Sequence, residues 1–159
     1  MNRIIFNSES WYGLKIEEVE KLEKTDEMFL RQLFSAHSRT PIEFLYIESG
    51  KYPMRFTLMS RRLNYWWHIV NSKDDSLLFK FYRTQKLKPV KNDWVLKIVE
   101  DKEYLDIQLE DSDLKKMSRN KFKKLVRNKI NTAAIKYLQN LQASHNKTKY
   151  LNFFKNQTC

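Results

Sequence analysis

Between Pro53 and Val70 the chain reads PMRFTLMSRRLNYWWHIV. At about 3.6 residues per turn, Phe56, Met59, Leu63, Trp66, Trp67 and Val70 fall in one broad sector, which Leu58, Tyr65 and Ile69 widen on one side. Thr57, Ser60, Arg61, Asn64 and His68 form the only polar strip. A helix so apolar must be covered over most of its circumference, so this stretch is expected to be the central helix with the others gathered around it. Pro53 suits its first turn, where a missing N–H costs nothing. Arg55 and Arg62 lie on nearly one line beside the apolar sector. Either their stems snorkel out of a packing seam or their guanidinium groups are aimed at phosphate.

The same reading places the other elements. Residues 3–12 have the aromatic content of a short helix or packed arm, broken at Gly13. From Ile16 to Phe34, Ile16, Val19, Leu22, Phe29, Leu30 and Leu33 recur at helical intervals, with acids early and Arg31 late as the helix dipole favours. Glu17, Glu18, Glu20, Glu23, Asp26 and Glu27 alternate with Lys21 and Lys24, which reads as a solvated face rather than a metal site. Thr40-Pro41-Ile42-Glu43 has the form of a capping box, opening a helix that runs through Phe44, Leu45 and Ile47 and stops at Gly50. Asn71 to Asp75 form a polar turn in which Asp74 or Asp75 can cap a helix carrying Leu77, Leu78, Phe79, Phe81 and Tyr82, with Lys80, Arg83, Lys86 and Lys88 on its far side. Pro89 ends it, and LKPVKND is the best hinge. Asn92 or Asp93 then caps a short helix with Trp94, Val95, Ile98 and Val99. YLDIQLED reads as a brief extended segment before acids 110–113 cap the turn LKKM. Ser118 opens the last long helix, with Phe122, Val126, Ile130, Ala133, Tyr137 and Leu141 on one face.

Composition agrees with an all-α fold. Among 159 residues there are only two glycines and three prolines, too few for a hairpin-rich chain. The expected architecture is an irregular multi-helix bundle around the aromatic-rich central helix, with the long C-terminal helix possible as a separate unit. The single cysteine, Cys159, permits no internal disulfide, and no apolar run is long enough to span a bilayer. The expected setting is therefore intracellular, nucleus or cytoplasm, without a membrane partner.

Charge changes the picture more. The formal net charge is +11. Residues 1–50 hold six Lys and Arg against nine Asp and Glu, residues 51–100 hold eleven against four, and residues 101–159 hold thirteen against six. A polyanionic partner for the later two thirds is expected, RNA or DNA before membrane. The first half of the last helix is crowded with Lys121, Lys123, Lys124, Arg127 and Lys129, without acids four residues away to balance them. Both phosphate contact and a solvated face account for that run. Aromatics mixed with bases, as in FKFYR and RRLNYWW, suit either stacking on single strands or core packing.

Catalytic signatures are missing from the string. His37, His68, His145 and Cys159 are too far apart to form a zinc-type pair, and Gly13 and Gly50 cannot build a phosphate loop. Asp74-Asp75, the only adjacent aspartates, sit in a polar turn and read as capping residues. No cofactor or metal is expected.

Several stretches resemble the region that follows the catalytic palm in LINE-type (non-LTR) retrotransposon reverse transcriptases. Ser8-Glu9-Ser10-Trp11 is similar to a Ser-Glu-x-Trp motif there, within FNSESWYGLKIEEVEKLEKTDEMFLRQLF. Leu45-Tyr46-Ile47-Glu48-Ser49-Gly50, Pro53-Met54-Arg55 and Arg61-Arg62-Leu63 are similar to downstream elements, as are Asp93-Trp94 and FKKLVRNKI…HNKTKYL. The resemblance implies a thumb-like helical region over residues 1–88 and a basic helical extension over 89–159, gripping template RNA and the growing duplex. It also implies a polymerase palm and fingers as a missing partner, since the aromatic-x-Asp-Asp signature has no counterpart here. The family's pattern continues past NFFKNQTC, which suggests an interrupted reading frame. No catalytic residue carries over. The residues expected to contact nucleic-acid backbone are Arg55, Arg61, Arg62, Lys80, Arg83, Lys121, Lys123, Lys124 and Arg127; the alternative is an inactive helical remnant or a protein-interaction module.

Overall fold

A computed structural model describes Ser8, residues 14–90 and residues 93–144. Seven helices and no strands occur among the described residues: α1 (Ile16–Leu33), α2 (Ile42–Ser49), α3 (Met54–Val70), α4 (Leu77–Leu87), α5 (Trp94–Tyr104), α6 (Asp111–Lys116) and α7 (Arg119–Ser144). The fold is all-α. Apart from Ser8, the aromatic segment expected over residues 3–12 lies outside the described residues, as do Asn92, His145 and Cys159.

α3 is the hub, with α1, α4, α5, α6 and α7 all packed on it. Its Phe56, Leu63, Trp66, Ile69 and Val70 are buried in a single core with Phe79 and Tyr82 of α4, Trp94, Val95 and Ile98 of α5, Leu114 of α6, and Phe122, Val126, Ile130 and Ala134 of α7. The α7 residues recur every fourth position, which draws one stripe along the helix and lays it lengthwise on α3. Residues on both sides of residue 88 contribute to this core. The helix does break before Pro89, and the described residues beyond it share the core of α3.

Polar contacts tie the same elements. The Trp66 indole N–H is shared between the Tyr82 hydroxyl (3.0 Å) and Asp111 Oδ1 (3.2 Å), while Tyr82 donates to Asp111 Oδ1 (2.8 Å) and Lys86 to Asp111 Oδ2 (2.8 Å). Burial alone raises the Asp111 pKa, but the hydrogen bonds from Lys86 and Tyr82 outweigh it and hold the carboxyl below its usual range. Burial and the Asp111 bond push the Tyr82 hydroxyl up, so it remains a donor. Trp67 Nε1 donates to the Met117 carbonyl (3.2 Å) and Tyr52 to Asn131 Oδ1 (2.6 Å), fixing both ends of the α3–α7 seam.

Helix ends follow the expected chemistry in part. Gly50 adopts the left-handed conformation (φ +62°) that ends α2, and Ser118 Oγ accepts from Lys121 N (3.4 Å) at the start of α7. Glu110 and Asp113 form a capping box on α6, with Glu110 N donating to Asp113 Oδ2 (2.9 Å). Two expectations fail. Pro41, not Thr40, is the N-cap of α2, and Glu43 is buried (1% exposed) rather than turned back to the helix start. Ser76, not Asp74 or Asp75, caps α4, its Oγ accepting from Phe79 N (3.2 Å).

Candidate nucleic-acid interface

The nine cations singled out in the sequence separate into three groups. Arg55 and Arg62 are spent inside the fold. Arg55 makes a two-pronged pair with Glu23 of α1, Nε to Oε1 at 2.7 Å and Nη2 to Oε2 at 2.5 Å, and its guanidinium lies 4.7 Å over the Tyr137 ring of α7. The Glu23 hydrogen bond raises the Arg55 pKa against the cost of burial. Arg62 is buried (8% exposed) and grips Asp101 of α5 through Nε (2.8 Å) and Nη2 (3.0 Å). Burial raises the Asp101 pKa even though Arg62 opposes it. Both arginines therefore leave the list of phosphate contacts. Arg62 is buried and Arg55 is about one-third exposed (32%), and each has a carboxylate partner on a neighbouring helix.

The acidic cluster of α1 needs a matching correction. Glu17, Glu18 and Glu20 are exposed as a solvated face should be, but Glu23 (7%) and Asp26 (2%) are buried. Burial raises the Asp26 pKa, with Lys51 opposing, and its Oδ1 has no hydrogen-bond partner among the described residues. No group of His, Cys, Asp and Glu able to hold a metal occurs among the described residues.

Lys121, Lys123, Lys124 and Arg127, with Arg61 of α3 beside Arg127, form the second group. α7 has no acidic residue, and Arg119, Lys121, Lys123, Lys124, Arg127 and Lys136 are exposed along it. Among the described residues none of these six takes part in an ion pair; only Lys129 does, with Asp106 at 3.0 Å. The buried stripe of α7 separates two open clefts. One, of about 970 Å³, lies between the α5–α6 turn and α7, and Lys121, Lys124, Lys129 and Lys136 line it together with Asn128, Thr132 and Asn140. The other, of about 610 Å³, lies between α3 and α7 and brings Arg61 and Arg127 to one wall system with Thr57, Ser60 and Asn131. Arg61 also donates to Ser8 Oγ (3.4 Å).

Lys80 and Arg83 are the third group. They are exposed on α4, which packs on α3 and α5, and they line neither cleft. Asn128, Thr132 and Lys136 were not singled out in the sequence, and Lys129 was named in the basic run but not among the expected contacts. For Asn128 and Thr132 the signal was there, since 121, 124, 128 and 132 advance by three and four and so follow one line on a helix. The aromatic residues resolve toward core packing. In FKFYR and RRLNYWW, Trp66, Phe79 and Tyr82 are buried and Phe81 (62% exposed) turns outward.

Such a surface can hold anions. Flexible ammonium groups and the guanidinium groups of Arg119 and Arg127, interleaved with amide and hydroxyl side chains, can follow an anionic backbone but present no fixed array for reading bases. No described helix is long and apolar enough to cross a membrane. The chain matches no family model, no curated protein and no solved structure.

Proposed function

We propose that this chain is a non-catalytic C-terminal piece of a retrotransposon-type reverse transcriptase that holds nucleic acid by its backbone through the basic surface of α7. The observation that carries the binding half is the long helix whose six exposed cations have no carboxylate partner among the described residues. Elsewhere the fold pairs its cations readily, as Lys86, Lys97, Lys102 and Lys115 illustrate. The reverse-transcriptase half rests on the motif resemblance at Ser8-Glu9-Ser10-Trp11, Leu45–Gly50 and Arg61-Arg62-Leu63. With the palm signature absent, the chain binds and does not polymerise.

Binding of this kind is governed by counterion release and weakens steeply with salt. Titrating labelled RNA and DNA duplexes with the protein between about 50 and 200 mM salt should give an affinity that falls by orders of magnitude. An affinity that does not change with salt, or no binding at all at the lower end, overturns the proposal.

One observation favours the alternative of a protein-interaction module: Leu77, Phe81 and Leu87 of α4 are 85, 62 and 78% exposed. Substituting Gln for Lys121, Lys123, Lys124 and Arg127 separates the two, because it abolishes nucleic-acid binding only if α7 is the binding surface.

A further inference from the structure

The groove between the α5–α6 turn and α7 contains one acid that its chemistry does not call for. Asp106 stands at φ +49°, the left-handed conformation in which α5 ends; its N–H reaches the Glu103 carbonyl (3.1 Å) and the Ile107 N–H reaches Lys102 (2.8 Å). Helices that end this way usually place glycine or asparagine there, as α2 does with Gly50. Aspartate tolerates this conformation better than most residues with a side chain, and the turn fixes Asp106 at the edge of the cleft. The residues on either side, Leu105 (3% exposed) and Ile107 (4%), are buried in the core and fix the turn. The carboxylate is thereby held out toward α7, where Oδ2 accepts from Lys129 Nζ at 3.0 Å.

The rest of the groove is cationic, with Lys121, Lys124 and Lys136 along the same wall. The pair itself is exposed, the Asp106 side chain at 77% and Lys129 at 38%. Solvent screens it, so it contributes little to stability and another anion can replace the carboxylate.

We infer that Asp106 is a built-in competitor of the groove's ligand: its carboxylate occupies the place on Lys129 that a nucleic-acid phosphate takes on binding. This rests on the backbone-binding reading of α7 and adds to it. A phosphodiester strand that also reaches Lys121 and Lys124 gains several contacts at once and displaces the carboxylate. A lone phosphate gains one and does not. Asp106 thus lowers affinity for all polyanions and discriminates against small ones.

The test compares wild type with Asp106→Asn, which keeps shape and tolerates the left-handed turn, using labelled RNA and DNA duplexes over a salt series. Asp106→Gly, which fits the turn without strain, keeps the comparison readable should the Asn variant fold poorly. Freeing Lys129 should tighten binding about three- to tenfold and steepen the log–log salt slope by about 0.9, the value of one added phosphate contact on a DNA duplex. Lys129→Gln should change little in wild type and reverse the gain in the Asp106→Asn background. Should wild type bind with the expected salt dependence while Asp106→Asn has the same affinity and slope, the competitor role is overturned and the groove reading stands. Lys129→Gln weakening wild type as much as Asp106→Asn also overturns the role. Should neither wild type nor Asp106→Asn bind, both readings fall together.

Discussion

The seam where α1, α3 and α5 meet and the outer side of α7 are built from the same charged residues used in opposite ways. In the seam, each arginine has found a carboxylate: Arg55 with Glu23, Arg62 with Asp101. On α7, six exposed cations face solvent with no such partner among the described residues. Desolvation accounts for the difference. A charge taken out of water must be matched on the spot, so the seam selects planar guanidinium groups that grip carboxylates two-handed. A charge left in water needs no match, and α7 carries mainly lysines, whose flexible ammonium groups remain open to any anion that arrives. Residue type alone therefore does not mark a binding surface; burial decides which cations are available.

The largest effect that would break this contrast is on stability. Asp101→Ala leaves Arg62 buried without its partner and should cost about 3–5 kcal/mol in chemical denaturation, while no single Gln substitution on α7 among Lys121, Lys123 and Lys124 should change the midpoint measurably. Phe122→Ala should cost a similar ~3–5 kcal/mol and unfold the chain in one transition, because that ring (0% exposed) belongs to the core shared by α3 and α7. Two separate transitions would instead divide the chain into the expected units 1–88 and 89–159.

Asp26 sharpens the comparison with pH. Burial raises its pKa above 3.8, so the folded chain takes up this proton before the unfolded chain does. The stabilisation from that proton is complete below 3.8 and is lost as pH rises through the raised value. Asp26→Asn should therefore stabilise the protein near neutral pH by about 1 kcal/mol and flatten this part of the pH profile, read by thermal melting in a pH series. Asp111 works in the opposite sense. Its lowered pKa gives stability that is present above 3.8 and lost as acid takes the pH through the lower value. The smallest effect is local: Ser76→Ala removes the α4 cap and should cost about 1 kcal/mol.

How much of this the sequence showed follows from the range of the physics involved. α1, α3, α4 and α7 were legible because hydrophobic periodicity and caps act within a few turns, and α3 as hub followed from its nearly complete apolar girth. The cap of α4 was misplaced because Asp74, Asp75 and Ser76 are all good caps, and only backbone geometry chooses Ser76. The roles of Arg55 and Arg62 were not legible, since their partners lie 32 and 39 residues away along the chain. Glu23 and Asp26 looked like part of a solvated acidic face for the same reason. The α7 cations were legible as a group because nothing on their own helix offsets them, yet the two clefts lined by Lys121, Lys124, Arg127, Lys129 and Lys136 required α3 and the α5–α6 turn to be in place.

The contrast is tested most directly by the salt slope of duplex binding in wild type and in the variant with Lys121, Lys123, Lys124 and Arg127 all changed to Gln. The expected result is a variant that melts as wild type does and loses up to about 0.9 of slope for each phosphate contact removed. A variant that keeps the full slope and affinity would place the polyanion elsewhere and contradict the division between spent and available cations.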